Sequence, residues 1–278
     1  MYSHLNEPNI LKRINKYDLG TKLISSFKDY DNIYLITTLF EGKTLDYFKN
    51  NILNEEQIKF ISACIIQSFV YFRKENIIHR DIGFENIIMD SDKYFNIIDF
   101  SCSVDNNDLK YNIITDVRLL SPERLKKKIY NFNSDYYGLG SLLYYLIFKA
   151  YPNVIKEKNK LLSLSINYNS NLNFSPKCID FINKLIVENP IKRIGYKDVN
   201  ELKNHSWFKM FDWNKLEKKL IESPFNFING SFNNISCSKY IKSDLMINIY
   251  KKNSKIFKFK EMLKNYDFIN INIIKNKK

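Results

Sequence analysis

Three short polar strings, held at fixed separations, constrain this chain more than any other feature. The first is His79-Arg80-Asp81, with Asn86 five positions after Asp81. The second is Asp99-Phe100, thirteen positions beyond Asn86, and the third is Ser121-Pro122-Glu123, twenty-two beyond Asp99. Any one of them arises by chance. Their joint order and spacing, between a long amphipathic segment and a long apolar one, is highly specific.

Periodicity supplies the frame around them. Leu5, Ile10, Leu11 and Ile14 fall at helical spacing, and Asp18-Leu19-Gly20 reads as the end of that helix. Thr21 to Phe27 and Ile33 to Leu39 are β-type runs joined by a polar link, which predicts an antiparallel hairpin. Asn54 with Gln57 three residues on is a capping-box variant, opening a helix whose stripe is Ile58, Ile61, Ile65, Phe69 and Phe72. Asn86 to Met89 and Tyr94 to Ile98 predict a second hairpin around residues 90–93. From Ser134 the chain reads helical, and Ser175-Pro176 starts another helix carrying Ile179, Ile182, Leu185 and Ile186. Strands early and helices late give an α+β arrangement in two lobes. From about Phe225 the pattern weakens into a tail over the body.

Composition closes off several classes. The formal net charge is +13, but lysine is spread rather than striped, so no dedicated nucleic-acid surface is expected. Four cysteines stand far apart with no zinc spacing, as reduced thiols of a cytoplasmic or nuclear protein would. The first residues lack the regions of a signal peptide, and the apolar run Tyr136 to Phe148 is too short to span a bilayer. A soluble chain is expected.

The three strings resemble those of the protein kinases: HRDIGFEN stands for H-R-D-x-x-x-x-N, DFS for D-F-G and SPE for A-P-E. Asp135 with Gly138, Arg193 in its Asn-Pro-Ile-Lys-Arg-Ile-Gly context, and His205 to Phe208 extend the likeness towards AGC-group Ser/Thr kinases, the cyclic-nucleotide-dependent members above all. The resemblance implies a kinase domain over 1–208, with an incomplete small lobe 1–40 and a helical large lobe 41–208, followed by an AGC-like extension 209–278. It implies ATP and Mg²⁺ as cofactors, a protein substrate or protein partner, and a monomer.

The same resemblance assigns roles. Asp81 accepts or orients the proton of the attacking hydroxyl, with Arg80 and Asn86 as its catalytic companions. Asn86 and Asp99 hold Mg²⁺, and Glu7, Thr37, Leu39, Phe40, Ile88 and Asp99 frame the cofactor, Thr37 as gatekeeper. Phe100 and His79 stack with Leu11 and Leu23 in an apolar column. Asp135 anchors the loop from below, and Arg193 pairs with Glu123.

Departures from the family pattern are as informative. No G-x-G-x-x-G occurs, and because Glu7 aligns with the helix glutamate the chain is expected to start just past the strand lysine. Lys12 and Lys16 are the nearest substitutes. Gly83-Phe84 replaces the usual Lys-Pro, Ser101 the glycine after Asp99-Phe100, and Asp116 and Asn112 two activation-segment threonines. Thr44 and Tyr145 stand where relatives carry acidic substrate readers, so their substrate preference does not transfer. Three readings stay open: a Ser/Thr kinase whose sequence is cut short, a pseudokinase serving as a binding module, and a decaying gene fragment. The reading favoured is a kinase-family chain with weak or lost phosphotransfer.

Overall fold

The longest helix shows how the sequence sets its own limits. Residues Glu55–Lys74 (α2) are capped by Asn54, whose side chain accepts the Gln57 N–H at 2.9 Å while Gln57 Oε1 accepts the Asn54 N–H at 3.0 Å. Ile58, Ile61, Ile65, Phe69 and Phe72 are buried as the stripe requires, and so are Phe60, Ala63, Cys64 and Ile66. The helix is therefore central rather than amphipathic along its middle. Each such aliphatic or aromatic side chain contributes roughly 1.5–3 kcal/mol by leaving water. Ser62 and Ser68, buried with them, donate to the carbonyls of Ile58 and Cys64.

The computed structural model describes residues 7–18, 20–28, 33–40, 42–106, 118–126, 131–152, 174–225 and 268–269. Further elements are α1 (Glu7–Ile14), β1 (Leu23–Lys28), β2 (Ile33–Thr37), β3 (Ile77–Ile78), β4 (Ile87–Met89), β5 (Phe95–Ile97) and β6 (Val104–Asp105). Then come α3 (Pro122–Leu125), α4 (Phe132–Phe148), α5 (Pro176–Leu185), α6 (Asn200–Lys203), α7 (Trp213–Glu217) and β7 (Phe268–Ile269). The architecture is α+β, a protein-kinase-like fold. No helix among the described residues is long and apolar enough to cross a membrane.

The chain divides into two units, Met1–Lys22 with Thr38–Pro224, and Leu23–Thr37 with Phe225–Lys278. In the second, β1 and β2 form the expected antiparallel hairpin, with Lys28 opposite Ile33, Phe27 opposite Tyr34 and an irregularity between Leu23 and Ser25. Phe27 and Tyr34 stack at 4.8 Å. Strand β7 pairs with the other edge of β1, giving the order β2-β1-β7, so the tail read as patternless supplies one strand.

The first unit holds the remaining elements. Helix α1 ends at Ile14, four residues before the expected stop. Lys22 Nζ donates to the carbonyls of Asn15 and Tyr17, and the Tyr17 ring stacks on Tyr71 at 4.1 Å, so the chain turns off there. Leu5 lies outside the described residues. Helix α4 starts two residues earlier than read, because Asn131 caps it by accepting the Asn133 N–H. It is buried along most of its length. Helix α5 starts where Ser175-Pro176 predicted, its cap hydroxyl accepting the Cys178 N–H.

Candidate active site

The site is assembled from the loop between β3 and β4 and the turn after β5. Strand β3 pairs with β6, and β4 pairs with β5 in the register Ile87–Ile97, Ile88–Asn96, Met89–Phe95. This fixes both ends of the loop 79–86. The Ile98 N–H donates to the Asn86 carbonyl at 2.9 Å, tying the loop's last residue to the residue before Asp99.

Asp135 in the first turn of α4 holds the loop's start. Its two carboxylate oxygens accept the N–H groups of His79 and Arg80, each at 2.8 Å. Burial pushes this carboxyl up to about 7, against the pull of those two donors. Arg80 adopts φ 70°, a conformation disfavoured for a side chain with a Cβ, and its Nε donates to the Cys102 carbonyl at 2.6 Å.

His79 is fully buried. Its ring stacks on Phe72 at 5.9 Å and meets Phe100 edge-on at 4.9 Å. Nδ1 accepts the Asp81 N–H, so Nε2 carries the proton and donates to the Ile98 carbonyl at 3.2 Å. Burial lowers its pKa to about 4, leaving the ring neutral at physiological pH. The expected column thus contains His79 and Phe100 with Phe72 added. Leu11 is buried in the same unit, and Leu23 belongs to the other.

Asp81 and Asn86 meet directly. Asn86 Nδ2 donates to Asp81 Oδ2 at 2.8 Å and to the Asp81 carbonyl at 3.0 Å. This aims the Asp81 carboxylate and leaves Asn86 Oδ1 available as a ligand. Asp99, exposed and at φ 59°, takes the Ser101 N–H on Oδ1 at 3.0 Å. Glu7, on α1, accepts the Phe100 N–H at 3.2 Å. Burial first, and the Asp99 charge second, push the Glu7 carboxyl up to about 7. Among the described residues no lysine or arginine pairs with Glu7; Lys16 Nζ lies 2.8 Å from Glu75 instead.

The other expected cofactor residues belong to separate segments. Ile88 sits on β4 and forms an isolated bridge with Thr44. Leu39 is 70% exposed and Phe40 partly exposed, in a stretch without regular structure. Thr37 closes β2 in the second unit. Asn112 and Asp116 lie outside the described residues. One position missed by sequence reasoning is Gly42, where a Cβ would stand 1.4 Å from the Met89 carbonyl oxygen. The glycine itself was the signal, since the adjoining strand must come that close for Met89 N–H to reach the Lys43 carbonyl at 2.9 Å.

The departures have visible structural replacements. Gly83 is buried, and a Cβ there would meet Glu85 Oε2 at 3.4 Å and Leu119 Cδ1 at 3.7 Å, both tolerable contacts. Phe84 is buried against Tyr145 at 5.4 Å, with Lys49 Nζ 5.0 Å from the Phe84 ring. Apolar packing occupies what resemblance made a polar stretch.

The donors suit a hard divalent ion. Asn86 Oδ1 and the Asp99 carboxylate are the oxygen ligands Mg²⁺ prefers, and water and phosphate would complete its octahedron. Among the described residues no cluster of three His, Cys, Asp or Glu forms an all-protein metal cage.

Comparison with known proteins shows the family. The protein kinase domain family matches residues 2–208. A probable serine/threonine-protein kinase of Dictyostelium discoideum is 29% identical over 80% of this chain and 50% of its own length. Serine/threonine-protein kinase sgk-1 of Caenorhabditis elegans is 29% identical over 79% of this chain and 49% of its own. A probable cAMP-dependent protein kinase catalytic subunit of Encephalitozoon cuniculi is 30% identical, over 79% and 70% respectively. The chain spans about half the length, or less, of most of the curated relatives it matches.

Proposed function

We propose, on the premise that this chain belongs to the protein kinase family, that it is a Ser/Thr-kinase-type protein in which phosphotransfer is weak or lost. One observation carries the reading: Asn86 holds the Asp81 carboxylate at 2.8 Å, while Glu7 meets a backbone N–H and, among the described residues, no cation.

Phosphoryl transfer depends on positioning and charge neutralisation more than on covalent chemistry. Asp81, fixed by Asn86, orients the attacking hydroxyl of a protein substrate and takes up its proton. Bound Mg²⁺ would supply charge neutralisation at the phosphates, held by Asn86 Oδ1 and Asp99. Asp135 keeps the loop in register, and neutral His79 keeps the loop and the Asp99 turn joined. What is reduced is cationic support: position 83 is glycine where the family pattern carries lysine, and among the described residues no cation pairs with Glu7.

The test is transfer of labelled γ-phosphate from Mg²⁺-ATP to a mixed protein substrate by the purified chain. Turnover far below the usual range of about 1–100 s⁻¹ is expected, and Asp81→Asn should remove what is left. Turnover inside that range would defeat the proposal.

A second reading, a pseudokinase that binds a protein partner, is favoured by Gly83 and Phe84. Phe84 is locked into the fold by Tyr145 and Lys49, so the catalytic stretch has become scaffold. The thiols of Cys64, Cys102 and Cys178 support a reducing compartment, cytoplasmic or nuclear.

A further inference from the structure

A depression of about 550 Å³ opens between the first turns of α2 and the chain around α7. Its volume lies within the roughly 300–1,000 Å³ typical of binding sites. Its floor is apolar: Phe60 is buried, Phe211, Ile221 and Pro224 are partly exposed, and Met210 stands at the lip, 94% exposed. The rim is acidic, formed by the exposed residues Glu56, Asp212 and Glu222.

Two of these charges are open to a partner. Glu56 and Glu222 make no hydrogen bond or ion pair among the described residues. Asp212 is partly engaged: Oδ1 caps α7 through the Lys215 N–H at 2.9 Å and Oδ2 lies 3.9 Å from Lys215 Nζ, so Glu56 and Glu222 are the two open charges. The other two charged groups of the lining are engaged elsewhere. Glu55 accepts from Ser175 and from Trp207 Nε1, and Lys59 Nζ lies 5.6 Å from the Trp207 ring. The rim is thus locally negative in a chain whose formal net charge is +13. Beyond Met210 and Phe211 a second depression of about 330 Å³ follows, flanked by Lys177 and Lys209, which bounds the acidic stretch. An acidic rim of this kind attracts cationic groups and repels acidic ones.

We propose that this groove docks a basic segment of a partner protein, with Lys or Arg on either side of one bulky apolar side chain. The apolar side chain fills the floor beside Met210, and the cations face Glu56 and Glu222. The groove shares no residue with the candidate active site, so the inference stands whether or not the chain transfers phosphate.

Fluorescence anisotropy on the full chain tests it, using a short labelled peptide with lysines flanking a single central Phe. A matching peptide with glutamates in place of lysines is the comparison. The lysine peptide should bind, weaken with rising salt, and lose at least about tenfold affinity when Glu56→Lys and Glu222→Lys are combined. Met210→Ser should weaken it as well. Thermal melts matching the wild type establish that the variants fold, as exposed substitutions should. Equal binding of the glutamate peptide would overturn the proposal. So would an unchanged Kd in the double reversal, or loss on Glu85→Lys alone, which would place the peptide at the catalytic loop. A dimer in sedimentation velocity that the double reversal dissolves would also overturn it, showing that a second copy fills the groove.

Discussion

Replacing Glu123 by glutamine should cost more stability than any exposed substitution in this chain. Arg193 is fully buried and its Nη1 and Nη2 donate to the two Glu123 oxygens at 2.7 and 2.9 Å. The remaining guanidinium donors reach the carbonyls of Asn133 at 2.6 Å and Val187 at 2.9–3.1 Å, and the Tyr137 ring lies 5.0 Å away. Removing one partner of a buried pair leaves a stranded charge, at about 3–5 kcal/mol. Glutamine keeps one acceptor, so the lower end, about 3 kcal/mol, applies, or a Tm lower by roughly 6–12 °C for a chain of this size. Arg193→Met should be worse, because it also strands the Asn133 and Val187 carbonyls at about 1–3 kcal/mol each. The pair and the helix N-terminus nearby hold the Glu123 carboxyl below its usual range, its hydrogen bond to Arg193 being the main favourable cause against burial. A depressed folded pKa gives stability that is present above the unfolded value of about 4.3 and lost as pH falls through the folded one. The gap between wild type and Glu123→Gln should therefore be full at pH 7 and close below about pH 4. Thermal melts across that range decide the matter. A gap under about 2 °C at pH 7, or Arg193→Met no worse than Glu123→Gln, would refute the reasoning.

Glu7→Gln should flatten the pH profile in the opposite sense. Since the Glu7 carboxyl is raised from 4.5 to about 7, its contribution is full below pH 4.5 and lost as pH rises through 7, so the variant should gain on the wild type in melts taken from pH 5 to 8. Gly42→Ala should lower the urea midpoint by an amount equivalent to at least about 1–3 kcal/mol, since its Cβ would stand 1.4 Å from the Met89 oxygen. Gly83→Lys should fold normally, and any residual phosphotransfer in the labelled-ATP assay should rise about tenfold or more, because that position can house a Cβ and would regain a cation.

Much of this architecture was legible where local chemistry and local spacing coincide. Asn54 and Gln57 announce the start of α2 because both halves of the cap lie within one turn. The meeting of Asp81 and Asn86 was legible from spacing because both lie in one short loop, whose last residue is tied to Ile98, next to Asp99. Interactions across long separations left no such trace. Lys219 Nζ reaches Asp90 at 2.6 Å, and the Tyr94 hydroxyl both donates to the Ile221 carbonyl and accepts the Ile221 N–H, clamping residues 219–221 onto the second hairpin. Nothing periodic marks those residues as partners. One backbone choice was equally hidden: nothing in an arginine marks Arg80 for the left-handed conformation, which its contacts to Asp135 and Cys102 accompany. The end of α1 was misplaced for the same reason, since Lys22, eight residues past the helix, takes the carbonyls of Asn15 and Tyr17 just after it.

Asp135 has a kinetic consequence. It belongs to a helix buried along most of its length, yet its carboxylate grips two consecutive amides of the loop that presents Asp81. The protons on those two amides trade with solvent when that grip opens, and a buried Asp135 on a buried helix has little room to let go while α4 stays packed. In deuterium labelling the His79 and Arg80 amides should therefore keep time with the whole-unit opening rather than with the surface loops around them. The loop would then have no private, low-energy route to disorder: it would be as durable as the interior that holds it.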